Sequence, residues 1–330
     1  MKAARVRATS PDGTPYGVPH HPAPSSAIEV HDNIPKPQVS QPGELLIQVK
    51  ASTVIRDNLE WNELYPPNHA LLGNDFAGII VDKHQSVDEY NVGDHVYGMS
   101  HGNRGGMWAE YAVVTTEEAV HKPDHLSWEE AAALPLSAMT ADQALFVHGG
   151  LETTQSHPKR ILITGASGGV GVYLVQFAVA AGHHVVAATS SRQRNEAFLR
   201  SIGAHEVVEY TDFSALHPFD LIVDVVGSQV LRDCWSVIKP DGTLISVDSA
   251  SWGFVDEHRR SDIGVEKEGV RALFFIVEPS RKSMERISRH ILSGKIKGLV
   301  LKTVSLDDVR EAYESAHSRG IGQGKIVIIP

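Results

Sequence analysis

Ile161-Leu-Ile-Thr-Gly-Ala-Ser-Gly-Gly-Val-Gly171 is the stretch on which the reading of this chain turns. Three apolar residues make a short buried strand, glycines crowd the turn after it, and Val170 opens an apolar helical pattern. That pattern runs Val170, Leu174, Phe177, Ala178 and Ala181, the spacing of one helix face. A strand feeding a glycine-rich turn and a helix start can hold the pyrophosphate of a dinucleotide. Glycines let the backbone approach phosphate oxygens, and free N–H groups at the helix start supply positive potential. The spacing G-x-x-G-G-x-G departs from G-x-G-x-x-G, and a loop that merely turns the chain can carry the same glycines. The elements on either side separate the two readings.

Downstream, strands and helices alternate: strand 160–164, helix 169–181, strand 184–188, helix 192–202 and strand 206–210. Strand 220–226, helix 228–238 and strand 243–248 continue the series. Such alternation predicts a parallel, doubly wound sheet. It sets the glycine turn at the first strand-to-helix connection, where a pyrophosphate binds. Arg271–Val277 is expected to add a last edge strand, followed by helices over 279–292 and 306–317 and a strand over Lys325–Ile329. A long apolar edge of this kind suggests a homodimer formed across it.

Upstream, Ser127-Trp-Glu-Glu130 is a capping box that opens a helix ending near Pro135, and a second helical run covers Met139 to His148. Before Ser127 the pattern is short strands: Glu44–Ala51, Gly78–Val81, His95–Tyr97 and Trp108–Val114. Residues 11–43, rich in Pro, Gly, Ser and His, read mostly as loop. Short strands with turns at this spacing indicate a β-rich, barrel-like domain.

A chain of 330 residues is long enough for about two domains. Its net charge of −10 argues against general nucleic-acid binding; it says little about a small-molecule substrate, the expected partner, because a local basic pocket can sit in an acidic protein. One cysteine, Cys234, cannot supply a disulfide or a thiolate-rich zinc site and suits a reducing compartment. It is expected to pack among Leu231, Trp235 and Ile238. No run reaches about 18 consecutive apolar residues, so no membrane span is expected. Met1-Lys-Ala-Ala-Arg-Val6 reads as a strand start rather than a signal peptide, and the expected location is cytoplasmic.

A fold of this kind that takes NAD carries Asp or Glu about 20 residues beyond the glycine turn, for the ribose 2′-hydroxyl. Here the second strand ends in Thr189-Ser190-Ser191-Arg192, and no carboxylate follows until Glu196. Hydroxyls followed by arginine suit a 2′-phosphate, so the expected cofactor is NADP(H). The alternatives are a solvated Arg192 and serines that only cap the next helix.

In these motifs and those that follow, the chain resembles the medium-chain dehydrogenase/reductase superfamily, in its zinc-independent quinone oxidoreductase branch. The resemblance covers nearly the whole chain. It lies in Gly73-Asn-Asp-Phe-Ala-Gly78, Val92-Gly-Asp-His-Val-Tyr-Gly98, Ala131–Ala141, Ile163–Gly171, Ile202–Tyr210 and Gly324-Lys-Ile-Val327. It implies an α/β fold: a GroES-like β-barrel catalytic domain (residues 1–126 and 273–330) plus a Rossmann domain with a doubly wound parallel sheet (127–272). The active cleft would lie at their junction. It implies cofactor contacts for Thr140, for the turn residues Gly165, Ser167, Gly168, Gly169 and Val170, and for Thr189, Ser190, Ser191 and Arg192. Tyr210, Gly227, Ser249, Phe275, Val277 and Lys325 complete that set, with Phe274 beside them; core packing competes for the two phenylalanines.

Metal-dependent relatives carry a cysteine in the segment Val54-Ile55-Arg56 and Gly-His-Glu where this chain has Gly73-Asn74-Asp75. They also carry a four-cysteine zinc lobe that one cysteine cannot supply. Many quinone reductase relatives have Asn near Ile55. Asp75 and Asp57 read equally well as hydrogen-bond scaffolding. The 18 histidines include His20-His21 and His183-His184, but adjacent strand residues face opposite ways, so no metal site is expected.

Alcohol–carbonyl chemistry concentrates charge on one oxygen and calls for a Lewis acid or strong proton donor; the zinc ligands are missing and no Tyr-x-x-x-Lys is present. A conjugated acceptor spreads that charge and needs only a few hydrogen-bond donors. The expected activity is therefore NADPH-dependent reduction of a quinone or α,β-unsaturated carbonyl. The alternatives are an enoyl reductase acting on a thioester and a non-catalytic NADPH-binding protein. Arg56 and Tyr65 are the catalytic candidates for holding the carbonyl oxygen, with a surface ion pair of Arg56 to Asp57 or Glu60 as the competing reading. Trp61, Met99 and Trp108 line a pocket or pack the core.

Overall fold

A computed structural model describes residues 1–17, 21–60, 71–102, 104–152, 157–261, 267–316 and 323–330. The chain divides into two compact units: Met1–Leu136 with Glu278–Leu292 and Lys297–Pro330, and Ser137–Val277 with Ser293–Ile296.

The first unit opens with β1 (Ala3–Val6), which pairs antiparallel with β2 (Ile28–His31). Then come β3 (Glu44–Thr53), β4 (Asp75–Lys83), β5 (His95–Met99), β6 (Tyr111–Thr115), β7 (Ala119–His121) and helix α1 (Trp128–Ala132). Ten residues long, β3 is the spine: β4 runs along one edge, β6 along the start of the other. Its apolar residues Leu45, Ile47 and Val49 share one core with Phe76, Ile80, Val96 and Val114. The capping box forms as the sequence predicts: Ser127 Oγ accepts from Glu130 N, and Glu130 accepts from Ser127 N. Helix α1 packs on β3 and β4, so the first unit extends past Ser127 to Leu136.

Helix α2 (Pro135–Asp142) leads into the second unit and runs on as a π-helical turn, Gln143–His148. The sequence reading starts this helix at Met139; Pro135 begins it instead, since a first-turn residue needs no N–H partner. Next follow β8 (Arg160–Ile163), α3 (Gly171–Ala180), β9 (His184–Thr189), α4 (Arg192–Ser201) and β10 (Glu206–Glu209). After them come β11 (Phe219–Asp224), α5 (Ser228–Val237), β12 (Ile238–Ser246), α6 (Phe254–Arg259) and β13 (Arg271–Phe274). The six strands lie in the order β10-β9-β8-β11-β12-β13, every pair parallel. Chain order reverses at β8/β11, the switch point outside whose strand ends such sheets bind ligands. Near-continuous apolar strands suit a sheet covered on both faces, and Leu162, Val186, Ile222 and Leu244 are fully buried. Cys234 lies in this core with Leu231, Trp235 and Ile238, and burial pushes its thiol up, as befits a packing residue.

The chain then returns to the first unit as α7 (Arg281–Leu292), β14 (Val300–Ser305), α8 (Val309–Ala316) and β15 (Lys325–Ile329). β15 pairs antiparallel with the end of β3, giving the sheet β14-β15-β3-β4-β5-β7 with β6 beside β3. Leu306, Val309 and Tyr313 close a second core with Trp108, Leu59 and Ile328.

Three strands escape the sequence reading: β2, inside the segment read as loop, β7 and β14. β2 and β7 are only four and three residues long, and β14 is mostly half-exposed or exposed. The expected edge strand Arg271–Val277 stops at Phe274.

Candidate functional site

In the second unit, Gly165 takes φ +58°. The β8–α3 turn that it starts closes by Gly168 N donating to Gly165 O at 2.8 Å. A side chain at Gly171 would meet Gly165 O and the Ala166 backbone, so this glycine brings the helix hard against the turn. α3 begins at Gly171, with Val170 as its uncapped N-cap. Among the described residues, no acceptor from the chain meets the N–H groups of Gly169, Val170 and Gly171. Three free donors at a helix start, beside residues 167–170 that are half-buried or exposed, form an anion cradle. The donor set fits a dinucleotide diphosphate.

Thr189 ends β9 buried, its Oγ1 accepting from Asn195 Nδ2 at 2.7 Å. Ser190 is exposed, and Ser191 occupies the N-cap of α4 without making a side-chain capping bond, so the capping alternative fails. Arg192, with its side chain 53% exposed, holds Glu196 through two bonds of 2.7 and 3.1 Å, and its backbone N donates to Glu209. Hydrogen bonds from Arg192 and Arg200 hold the Glu196 carboxyl down to about 2. An exposed pair one helical turn apart contributes little in water, so a bound phosphate can take the guanidinium over.

The loops after β11 and β12 contain a residue that the sequence reading missed. Asp224, the last residue of β11, is fully buried and accepts four bonds: from Thr164 Oγ1 (2.6 Å), Val226 N (3.3 Å), Gly227 N (2.9 Å) and Ser246 Oγ (3.0 Å). Burial pushes its carboxyl above the ordinary aspartate value, against the pull of those donors. Gly227 takes φ 72° and ψ −161°, a region only glycine occupies readily. A side chain there would run into Asp248 and Ser251. Ser228 follows at φ 51°, the single non-glycine positive φ among the described residues. Gly165 in turn lies against Val225 and Val226, so the turns after β8 and β11 touch. Thr140 is buried in α2, Tyr210 is half-buried edge-on to Phe213, and Ser249 starts a short 3-10 turn. Phe274 packs on the core, and Phe275 lies 4.2 Å, centroid to centroid, from the His148 ring at the end of the π-helical turn. Val277 is half-buried.

Other candidates fall in the first unit. Arg56 is exposed in a turn after β3; Tyr65 and Trp61 lie outside the described residues. Met99 and Trp108 are core: Trp108 Nε1 donates to Thr53 O at 2.9 Å, and its indole fills the space beside Gly73. Lys325 is buried with Nζ 3.4 Å from Asp75, whose carboxylate also accepts from Thr53 Oγ1 (2.5 Å) and Leu136 N (2.6 Å). Asp75 is thus the scaffold. The segments that hold zinc in metal-dependent relatives do not fit the ion here. Val54 and Ile55 are buried aliphatics, and the Asn74 side chain is spent on Asn58, Ser100 and His101. Zinc takes thiolate, imidazole or free carboxylate, and among the described residues no group of three or more such side chains converges.

The family model for the alcohol dehydrogenase GroES-like domain matches residues 41–124, and that for zinc-binding dehydrogenase matches residues 202–328. The chain is 33% identical over 300 residues to a "Probable zinc-binding oxidoreductase, mitochondrial" of Arthroderma benhamiae, covering 87% of this chain and 88% of that one. It is 31% identical over 316 residues to the "Quinone-oxidoreductase QR1, chloroplastic" of Triphysaria versicolor, covering 91% and 93%. A solved quinone oxidoreductase from Coxiella burnetii shares the fold, with TM-score 0.82 at 23% identity over 100% of this chain and 99% of that one.

Proposed function

This chain belongs to the medium-chain dehydrogenase/reductase family, in its quinone oxidoreductase branch, and from that premise we propose that it is an NADPH-dependent, metal-independent reductase of quinones or α,β-unsaturated carbonyls. The observation that carries the reading is the second unit's anion cradle, followed at the end of the next strand by Ser190, Ser191 and Arg192. NADPH supplies a hydride when bound. Gly169, Val170 and Gly171 give backbone donors to the diphosphate on the turn that Gly168 N closes onto Gly165 O, and Ser190 and Arg192 grip the 2′-phosphate once Arg192 leaves Glu196. Gly227, with no side chain, and Ser249 border the nicotinamide half, with Phe275 and Val277 offering backbone; Lys325 is assigned a polar cofactor contact. Arg56 and Tyr65 are assigned to the substrate's carbonyl oxygen, where delocalised charge needs few donors.

The metal-independent part rests on Val54, Ile55 and Asn74 standing where zinc ligands would be needed. A relative named crotonyl-CoA reductase, 26% identical, keeps enoyl thioesters among the substrates to test. No helix among the described residues is long and apolar enough to cross a membrane. The lone thiol favours a reducing compartment, for which we name the cytoplasm; relatives are named for mitochondria and chloroplasts, and fractionation of the tagged chain discriminates. β13 is an edge strand with Ile276 64% exposed just beyond it, which favours a homodimer; a monomer on sizing rejects that.

The test of the activity is NADPH consumption with a panel of quinones, enones, enoyl thioesters and simple aldehydes. Turnover of conjugated acceptors, unchanged by a chelator, is expected. Turnover only of simple alcohols or aldehydes, abolished by the chelator, overturns the reading, and tight NADPH binding with no turnover on any acceptor leaves a binding protein.

A further inference from the structure

We propose that Asp224 is the positioning residue that sets the spacing of the three loops around the cofactor's diphosphate and nicotinamide half, an inference resting on the cofactor reading above. The carboxylate sits at the C-terminal end of β11, between β8 and β12, where ligands bind in such sheets. On one side Val225 N donates to Thr164 Oγ1 (3.0 Å), which donates to Asp224 Oδ1. Thr164 immediately precedes Gly165, so this bond fixes the root of the glycine turn. On the other side Asp248 N reaches Ser246 Oγ (3.4 Å), which donates to Oδ2. That bond fixes the loop carrying Asp248 and Ser251, which leaves no room for a side chain at Gly227. Between them Gly227 N donates to Oδ2 and Val226 N to Oδ1, holding the backbone in its two consecutive positive-φ residues. Strain of that kind persists only where its surroundings enforce it.

The network demands a group that accepts on both sides and donates on neither. An amide in its place offers one oxygen. The Thr164 and Ser246 hydroxyls can turn to accept from an NH2, but Val226 N and Gly227 N cannot. One backbone N–H therefore loses its partner whichever way the amide lies.

Asp224→Asn and the milder Thr164→Val test this by binding of NADPH and of adenosine 2′-monophosphate, which carries only the part assigned to the end of β9. Asp224→Asn is expected to weaken NADPH about tenfold and Thr164→Val a few-fold. Both should leave adenosine 2′-monophosphate within about twofold of the parent chain. NADPH binding unchanged in folded Asp224→Asn overturns the inference. So does parallel weakening of both ligands, which would make Asp224 a fold residue only. A parent chain that binds neither NADPH nor NADH removes the cofactor reading itself, and this inference with it.

Discussion

Asp224 in one unit and Asp75 in the other are both fully buried, and they are held in opposite ways. Asp224 is met by four uncharged donors drawn from three strand ends. Asp75, at the start of β4, is met by Thr53 and Leu136 N and by the ammonium of Lys325, the first residue of β15. The first arrangement spaces loops and leaves the glycine turn's N–H groups unspent beside it. The second ties β15, β3 and β4 together by charge. A buried carboxylate can therefore organise a binding face or close a sheet, and its partners tell which.

Breaking the charge pair should have the largest effect on stability. Lys325→Met strands a buried carboxylate and is expected to cost about 3–5 kcal/mol in urea unfolding, with most of it recovered in Asp75→Asn/Lys325→Met. A single variant as stable as the parent would show that the pair does not close the sheet. Next in size is Gly171→Ala in the other unit, where the added methyl meets backbone that cannot swing aside. An overpacking cost of about 1–3 kcal/mol is expected, with loss of NADPH binding; unaltered binding would contradict the close packing of turn and helix.

The smallest effect belongs to a part-exposed pair at the other end of β8 from the glycine turn. Hydrogen bonding from Arg160 and then His184 holds the Glu206 carboxyl at about 2, below its ordinary 4.5. A depressed carboxyl stabilises the fold above pH 4.5 and loses that contribution as pH falls through about 2. Glu206→Gln should therefore flatten the acid limb of a stability–pH curve, by under about 1 kcal/mol because the pair is part-exposed. An unchanged acid limb would show that the pair contributes nothing. Asp224 has the opposite sign: burial raises its carboxyl, so its contribution is greatest below the ordinary 3.8 and declines as pH rises through the raised value.

The glycine turn was legible because backbone approach to a phosphate needs glycine at fixed places, and the strand–helix alternation around it repeats at short range. Arg192 stands exposed at the start of α4, paired with Glu196, and its grip on a phosphate belongs to the proposal. Asp224 was not, since one acid closing the run Leu221-Ile-Val looks like any strand end, and its partners Thr164 and Ser246 lie 60 and 22 residues away. Lys325 and Asp75 meet only because β15 returns beside β3. Trp108 looked equally fit for pocket or core until Gly73 gave up its side-chain space to it.

The proposed preference for NADPH rests on the second unit's cradle and on Arg192. Dissociation constants for NADPH and NADH, measured side by side on the parent chain and Arg192→Ala, test it most directly. A parent preference for NADPH is expected, with a loss of about tenfold or more in the variant for NADPH alone. Equal weakening of both dinucleotides, or a parent that prefers NADH, would contradict it.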